Sequence, residues 1–179
     1  ISRRDAATGA AAALLYYLRE TQRSALEHLE RPAFYDRANA LVLDATTVRN
    51  LELVETLFAG ESKETTLFHV LDQTRTGMGG RLMRRRLLAP SIDVAEIDAR
   101  LDAVESLYNA TILRAELAKD LASILDLERL LAKVSLASAG PRDLHALARS
   151  LAVIPGLKAR IADSASVRML DVHGRMDEV

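Results

Sequence analysis

The sequence predicts an all-α fold: a multi-helix core with one long N-terminal helix. Three observations predict it. Apolar residues make up 49% of the 179, yet aromatics only 4% with no Trp, so the core must be built from Leu, Ala, Val and Ile, which fill helix–helix contacts without large rings. Those residues recur at spacings of three, four and seven in one segment after another, the period of a helix with one buried face. The segments are separated by residues that start or stop helices, among them Asp44, Asp93, Asp126, Gly140 and four prolines. A chain of 19.6 kDa is long enough to bury one sizeable core.

The first element spans Ser2 to Leu29, with Ser2 as N-cap and Asp5 as the acidic half of a capping box. Ala11, Leu15, Leu18, Ala25 and Leu29 form its packing face, with Gln22 on the same seam. At 1.5 Å per residue the helix runs about 40 Å, a length suited to a strut. Pro32 bars its continuation and marks the best seam in the chain. Between 40 and 54 the pattern changes. Ala40–Leu43 and Leu51–Val54 read as a small two-stranded β ribbon, with Asp44 capping a short helix between them. Gly60–Glu64 is a polar loop.

Thr65 or Thr66 caps a short helix carrying Leu67, Phe68, Val70 and Leu71; a second helix, roughly Gly80–Ala89, is closed by Pro90. Asp93 and Glu96 have the spacing of a reciprocal capping box, and Ile97, Leu101, Val104 and Tyr108 follow on one face. Thr111 is placed to cap the next helix, containing Leu113 and Leu117. Asp126 precedes another with Leu127, Leu130, Leu131 and Val134. Gly140-Pro141 ends that helix and begins a further one with Leu144, Leu147, Leu151 and Ile154; Pro155 opens another turn. The expected organisation is 1–31 as a connecting helix packed on the core, 32–163 as the helical body with its ribbon, and 164–179 as the start of a further helical segment.

Charge is balanced, 24 Lys and Arg against 25 Asp and Glu, so no global field draws the chain to nucleic acid or to an acidic membrane. Any DNA contact must be local. With no Cys there are no disulfides, no thiolate chemistry and no Cys-based zinc site, which fits a reducing, cytoplasmic setting. No apolar run approaches the roughly 20 residues of a membrane span, and no signal segment opens the chain. The chain begins at Ile1, which points to a piece of something longer.

Few residues suggest chemistry. Gly77-Met78-Gly79-Gly80-Arg81 before a helix has two readings, close backbone packing or anion contact at a helix start. The Lys-Ser/Thr that completes a P-loop is missing. Arg75, Arg81, Arg84, Arg85 and Arg86 form the densest basic patch; Arg81, Arg84 and Arg85 are the nucleic-acid candidates, and pairing with carboxylates of neighbouring helices is the competing account. No aromatic residue is interleaved there to stack on bases. His28, His69, His145 and His173 are isolated, so no metal site is expected. Asp98 and Asp102 lie opposite the apolar stripe of their helix, as a solvated face does. No catalytic residue, cofactor site or metal site is expected, and the chain by itself is not expected to be an enzyme.

Five blocks in order resemble the core region of the MutS family of DNA mismatch-repair ATPases: ALLYYLRETQRSALEHL at Ala13–Leu29, LDATTVRNLEL at Leu43–Leu53, TLFHVLDQTRTGMGGRLMRRRLLAP at Thr66–Pro90, IDARLDAVESL at Ile97–Leu107 and DLERLLAKVSLASAGPRDLHALARSL at Asp126–Leu151. The resemblance implies a structural and allosteric core and lever module. It would link DNA-binding and clamp parts to an ATPase elsewhere in a longer chain, which binds ATP and Mg and acts as a homodimer on mismatched duplex DNA. It assigns no site residue here, because the Phe-x-Glu wedge, the Walker motifs and the clamp segment are all missing. The rival reading is a free-standing helical adaptor or DNA-binding module using the Arg75–Arg86 patch.

Overall fold

In the computed structural model, residues 3–21, 40–58 and 60–177 are described, and they form ten α-helices without a strand. The chain divides into two compact units, 1–37 and 38–179. The first contains α1 (Arg3–Thr21). On it Ala11, Leu15 and Leu18 are half-buried while Leu14, Tyr16 and Tyr17 are exposed, the face the periodicity predicts. Ser2, Gln22, Ala25, Leu29 and Pro32 lie outside the described residues.

The second unit holds α2 (Ala45–Asn50), a 3₁₀ turn (Lys63–Thr65), α3 (Leu67–Leu71), α4 (Gly77–Leu88), α5 (Val94–Asn109), α6 (Thr111–Ala122), α7 (Leu127–Ser135), α8 (Pro141–Leu151), α9 (Ile154–Ile161) and α10 (Val167–Gly174). Its core centres on Leu117, Ile124, Leu157 and Ile161, with Met78, Leu107, Leu113, Leu127 and Met169 packed around them. The expected scarcity of aromatics in the core holds: this cluster is aliphatic and thioether throughout.

Helix starts follow side-chain chemistry. Asp44 accepts the Thr47 amide at 2.6 Å, Thr66 that of His69 at 3.3 Å, Thr76 that of Gly79 at 3.0 Å and Asp126 that of Arg129 at 3.3 Å. Each satisfies an amide that the helix itself leaves free. Two expected caps differ. Thr111 is already inside α6, whose N-cap is Ala110 with no side-chain bond. Asp93 caps α5 through the amides of Ala95 and Glu96, but Glu96 does not reach back, because its carboxylate is taken by Arg100 and Arg168. The glycines also shift role: Gly77, Gly79 and Gly80 form the first turn of α4 rather than preceding it.

The β ribbon expected over 40–54 does not form. Ala40 makes an isolated antiparallel bridge with Ser91, and the Leu41 amide donates to the Pro90 carbonyl at 2.8 Å. The other half is broken at Glu52, whose φ of 46° is left-handed. There the Glu52 amide donates to Arg49 O and the Leu53 amide to Val48 O, a Schellman closure of α2 that leaves Leu53 buried. The carbonyls of Glu52 and Leu53 then accept the amides of Leu67 and Phe68 at the start of α3. Backbone groups a strand would have used are thus spent on a helix end and a helix beginning.

On α5 the stripe Ile97, Leu101, Val104 and Tyr108 is exposed. The covered face carries Ala99, Arg100, Ala103, Ser106 and Leu107 instead, and α10 packs against α5. Ala99, Ala103 and Ser106 are small, and Leu107 on the same face packs against the central cluster.

Candidate functional site

Ion pairs join the helices of the second unit two by two. Arg81 on α4 donates through Nη1 and Nη2 to Asp126 at 2.7 and 2.8 Å, and through Nη2 to Glu128 of α7 at 2.5 Å. Glu96 on α5 accepts from Arg168 on α10 and from Arg100 one turn along its own helix. Arg160 on α9 bridges Asp120 at 2.6 Å and Glu116 at 2.5 Å, both on α6. Lys133 on α7 meets Asp143 on α8 at 2.8 Å, while the Gly140 amide donates to the other oxygen of that carboxylate. The carboxyls respond as physics requires. Asp126 is held down to about 2, chiefly by the Arg81 guanidinium and further by the Arg129 amide; Glu96 is lowered by Arg100 and Asp143 by Lys133.

This geometry divides the basic patch. Arg81, one of the three nucleic-acid candidates, is consumed by Asp126 and Glu128. Arg86 lies near the Glu96 junction, where burial and the neighbouring Arg100 charge lower its pKa. Arg84 and Arg85 remain exposed, and among the described residues neither has a carboxylate partner. The internal-pairing account therefore applies to Arg81.

The glycine run is a packing device. A Cβ on Gly77 would stand 3.1 Å from Asp126 Oδ2, and one on Gly79 would stand 3.1 Å from Thr76 Oγ1 and 3.2 Å from Thr74 Cβ. The space a cradled phosphate would need at the start of α4 is thus lined by the carboxylate that holds Arg81. The Asp126 carboxylate brings negative charge to the place where a P-loop offers a lysine. Among the described residues no group of three His, Cys, Asp or Glu comes together to hold a metal ion. Nor is any described helix long and apolar enough to cross a membrane.

One feature escaped the sequence reading. Arg142, His145 and Arg149 project from α8 into a cleft of about 420 Å³ beside the α6–α7 turn. The signal lies in PRDLHALARS, where basic residues recur at spacings of three and four.

The fold and its ion-paired junctions define an all-α helical module. Residues 46–175 match the family model described as MutS domain III, and the chain belongs to that family. It is 58% identical over 183 residues to the DNA mismatch repair protein MutS of Solibacter usitatus, covering 100% of this chain and 21% of that protein. The corresponding protein of Pelotomaculum thermopropionicum is 46% identical over 173 residues, 96% of this chain and 20% of its own length. That of Methanococcoides burtonii is 41% identical over 164 residues, 92% of this chain and 18% of its own. The chain thus spans about a fifth of the length of these curated relatives.

Proposed function

We propose that this chain is the structural core of a DNA mismatch-repair protein and works as a mechanical module rather than a reactive one. In this reading residues 1–31 are a connecting strut, 32–163 the body, and 164–179 the start of a lever. The remaining domains of the same longer chain are its immediate partners. ATP and Mg are bound in those domains. The whole protein acts as a cytoplasmic homodimer on mismatched duplex DNA, and the core couples its DNA-holding parts to its ATPase.

The observation that carries this reading is the pairing of helices. Four junctions, α4–α7, α5–α10, α6–α9 and α7–α8, each hold a carboxylate between or against cations of the facing helix. Helices so tied move together, and a displacement at one end reaches the other without a reacting group between. The exposed stripe of Ile97, Leu101, Val104 and Tyr108 is further support, since an apolar face of this kind suits a body normally packed within a larger protein. The rival reading, DNA binding through Arg75–Arg86, is weakened by the capture of Arg81 inside the fold.

The test uses the full-length protein. Arg160→Ala cuts the α6–α9 junction, and the DNA-dependent stimulation of nucleotide turnover is compared with wild type at equal DNA affinity. A reduced stimulation is expected. Unchanged stimulation, with the junction shown to be lost, removes the mechanical role.

A further inference from the structure

We propose that the face of α8 bearing Arg142, His145 and Arg149 is a phosphate-binding cleft. The residues follow one another at spacings of three and four, so all three stand on one side of the helix. They line a hollow of about 420 Å³ whose other wall is the turn between α6 and α7, with Ser123 and Leu125. That volume is within the range of small-ligand sites, which run from about 300 to 1,000 Å³.

Charge makes the case. Among the described residues no carboxylate lines the cleft. The acids nearest in sequence are committed elsewhere: Asp120 to Arg160, Asp126 to Arg81, and Asp143 to Lys133 and the Gly140 amide. The arginines of the α4–α7, α5–α10 and α6–α9 junctions contrast with these two. Arg81, Arg100, Arg160 and Arg168 each hold a carboxylate, whereas among the described residues Arg142 and Arg149 hold none. In a chain of net charge -1 this is a local excess of two positive charges around a concave surface. The hydroxyls do not compete for it: Ser150 is engaged by Leu125 and Ala146, and Ser123 donates to the Asp120 carbonyl.

A phosphate group fits this chemistry. Its oxygens accept paired N–H bonds from guanidinium forks, and His145 adds a further donor. Leu125 and Ala146 give the open hollow apolar walls beside these donors. The distance from Arg142 to Arg149 along the helix is about 10 Å, enough for one phosphate with its ester or for two in sequence. The group can come from a free nucleotide or pyrophosphate, or from the backbone of DNA.

The experiment measures binding of pyrophosphate, of ATP without magnesium and of a short labelled duplex to the 179-residue chain at low salt. Wild type is compared with Arg142→Ala/Arg149→Ala and with Arg84→Ala/Arg85→Ala. Binding of at least one probe is expected, weakened by about tenfold or more in the α8 variant and much less in the α4 variant. Duplex binding alone, with a log–log salt slope of about −2, identifies a DNA backbone; binding of the small phosphates alone identifies a free ligand. Circular dichroism checks that each variant is folded, and Arg149→Gln replaces the double variant should that one unfold. The cleft assignment is overturned by binding of no probe, by an α8 variant that binds as wild type does, or by an α4 variant that loses as much.

Discussion

Arg81 and Asp126, 45 positions apart, meet in a two-pronged ion pair at 2.7 and 2.8 Å. Gly77 permits it: a side chain there would stand 3.1 Å from Asp126 Oδ2, so the bare first turn of α4 is what lets the carboxylate close in. The same carboxylate caps α7 through the Arg129 amide. One side chain therefore sets the start of one helix and fastens it to another.

A pH dependence follows. Asp126 titrates at about 2 in the folded chain against an ordinary carboxyl value of about 3.9 in the unfolded one. Because the folded value is the lower, its contribution to stability is present above pH of about 4 and is lost as pH falls toward 2. Asn also caps helices well, so Asp126→Asn keeps the cap and removes the charge. Melting temperature measured from pH 6 to pH 2 is expected to fall less steeply in the variant than in wild type, with the difference concentrated below pH 4. Parallel curves would show that the pair contributes nothing.

Ser150 is fully buried, accepts the Leu125 amide at 3.1 Å and donates to the Ala146 carbonyl at 2.8 Å. It pins the α6–α7 turn to the last turn of α8. Ser150→Ala leaves the Leu125 amide without a partner, at a cost of about 1–3 kcal/mol. Urea unfolding should show a lower midpoint at unchanged slope. An unmoved midpoint would mean that water or another acceptor replaces the hydroxyl.

Ala137 stands at φ 52° beyond α7, where the Ala137 amide donates to Val134 O and the Ser138 amide to Lys133 O. This is the position of a Schellman closure that glycine usually fills, and a Cβ there costs about 1–2 kcal/mol. Ala137→Gly is expected to stabilise the chain by about 0.5–1 kcal/mol after the extra freedom of glycine in the unfolded state is counted, seen as a melting temperature higher by about 1–4 °C. Glu52 occupies the equivalent place after α2 but accepts the Leu57 amide at 2.7 Å, so Glu52→Gly loses a bond as it relieves the backbone. Equal gains at both positions would refute the distinction.

What could be read beforehand was whatever local chemistry decides. The helical class and the caps at Asp44, Asp93 and Asp126 are properties of a few adjacent residues, and they are present in the structure. Two of the differences share a cause, since each depended on a partner far along the chain. Ala40 had a strand-like neighbourhood but pairs with Ser91, and Glu96 had capping-box spacing but is claimed by Arg168, 72 positions away. The basic patch divides through distant partners too: adjacency groups Arg81 with Arg84 and Arg85, whereas Asp126 and Glu128 hold Arg81 by the pairing its competing account expected. The α8 cleft, conversely, needed the α6–α7 turn to become a cleft at all.

Leu101 and Leu117 make the sharpest comparison between pattern and burial. Both lie on apolar stripes expected from the sequence, yet Leu117 is 8% exposed within the central cluster and Leu101 is 58% exposed on α5. Leu117→Ala removes methylene groups from a packed interior and leaves a hole, for which about 2–5 kcal/mol is the ordinary cost. Leu101→Ala deletes surface already in water and slightly favours helix, so the 179-residue chain should stay within about 0.5 kcal/mol of wild type. The two variants are compared by denaturant unfolding of this chain under the same conditions. Losses of similar size would mean that the α5 stripe is covered in solution, and would contradict the exposed face on which the modular reading draws.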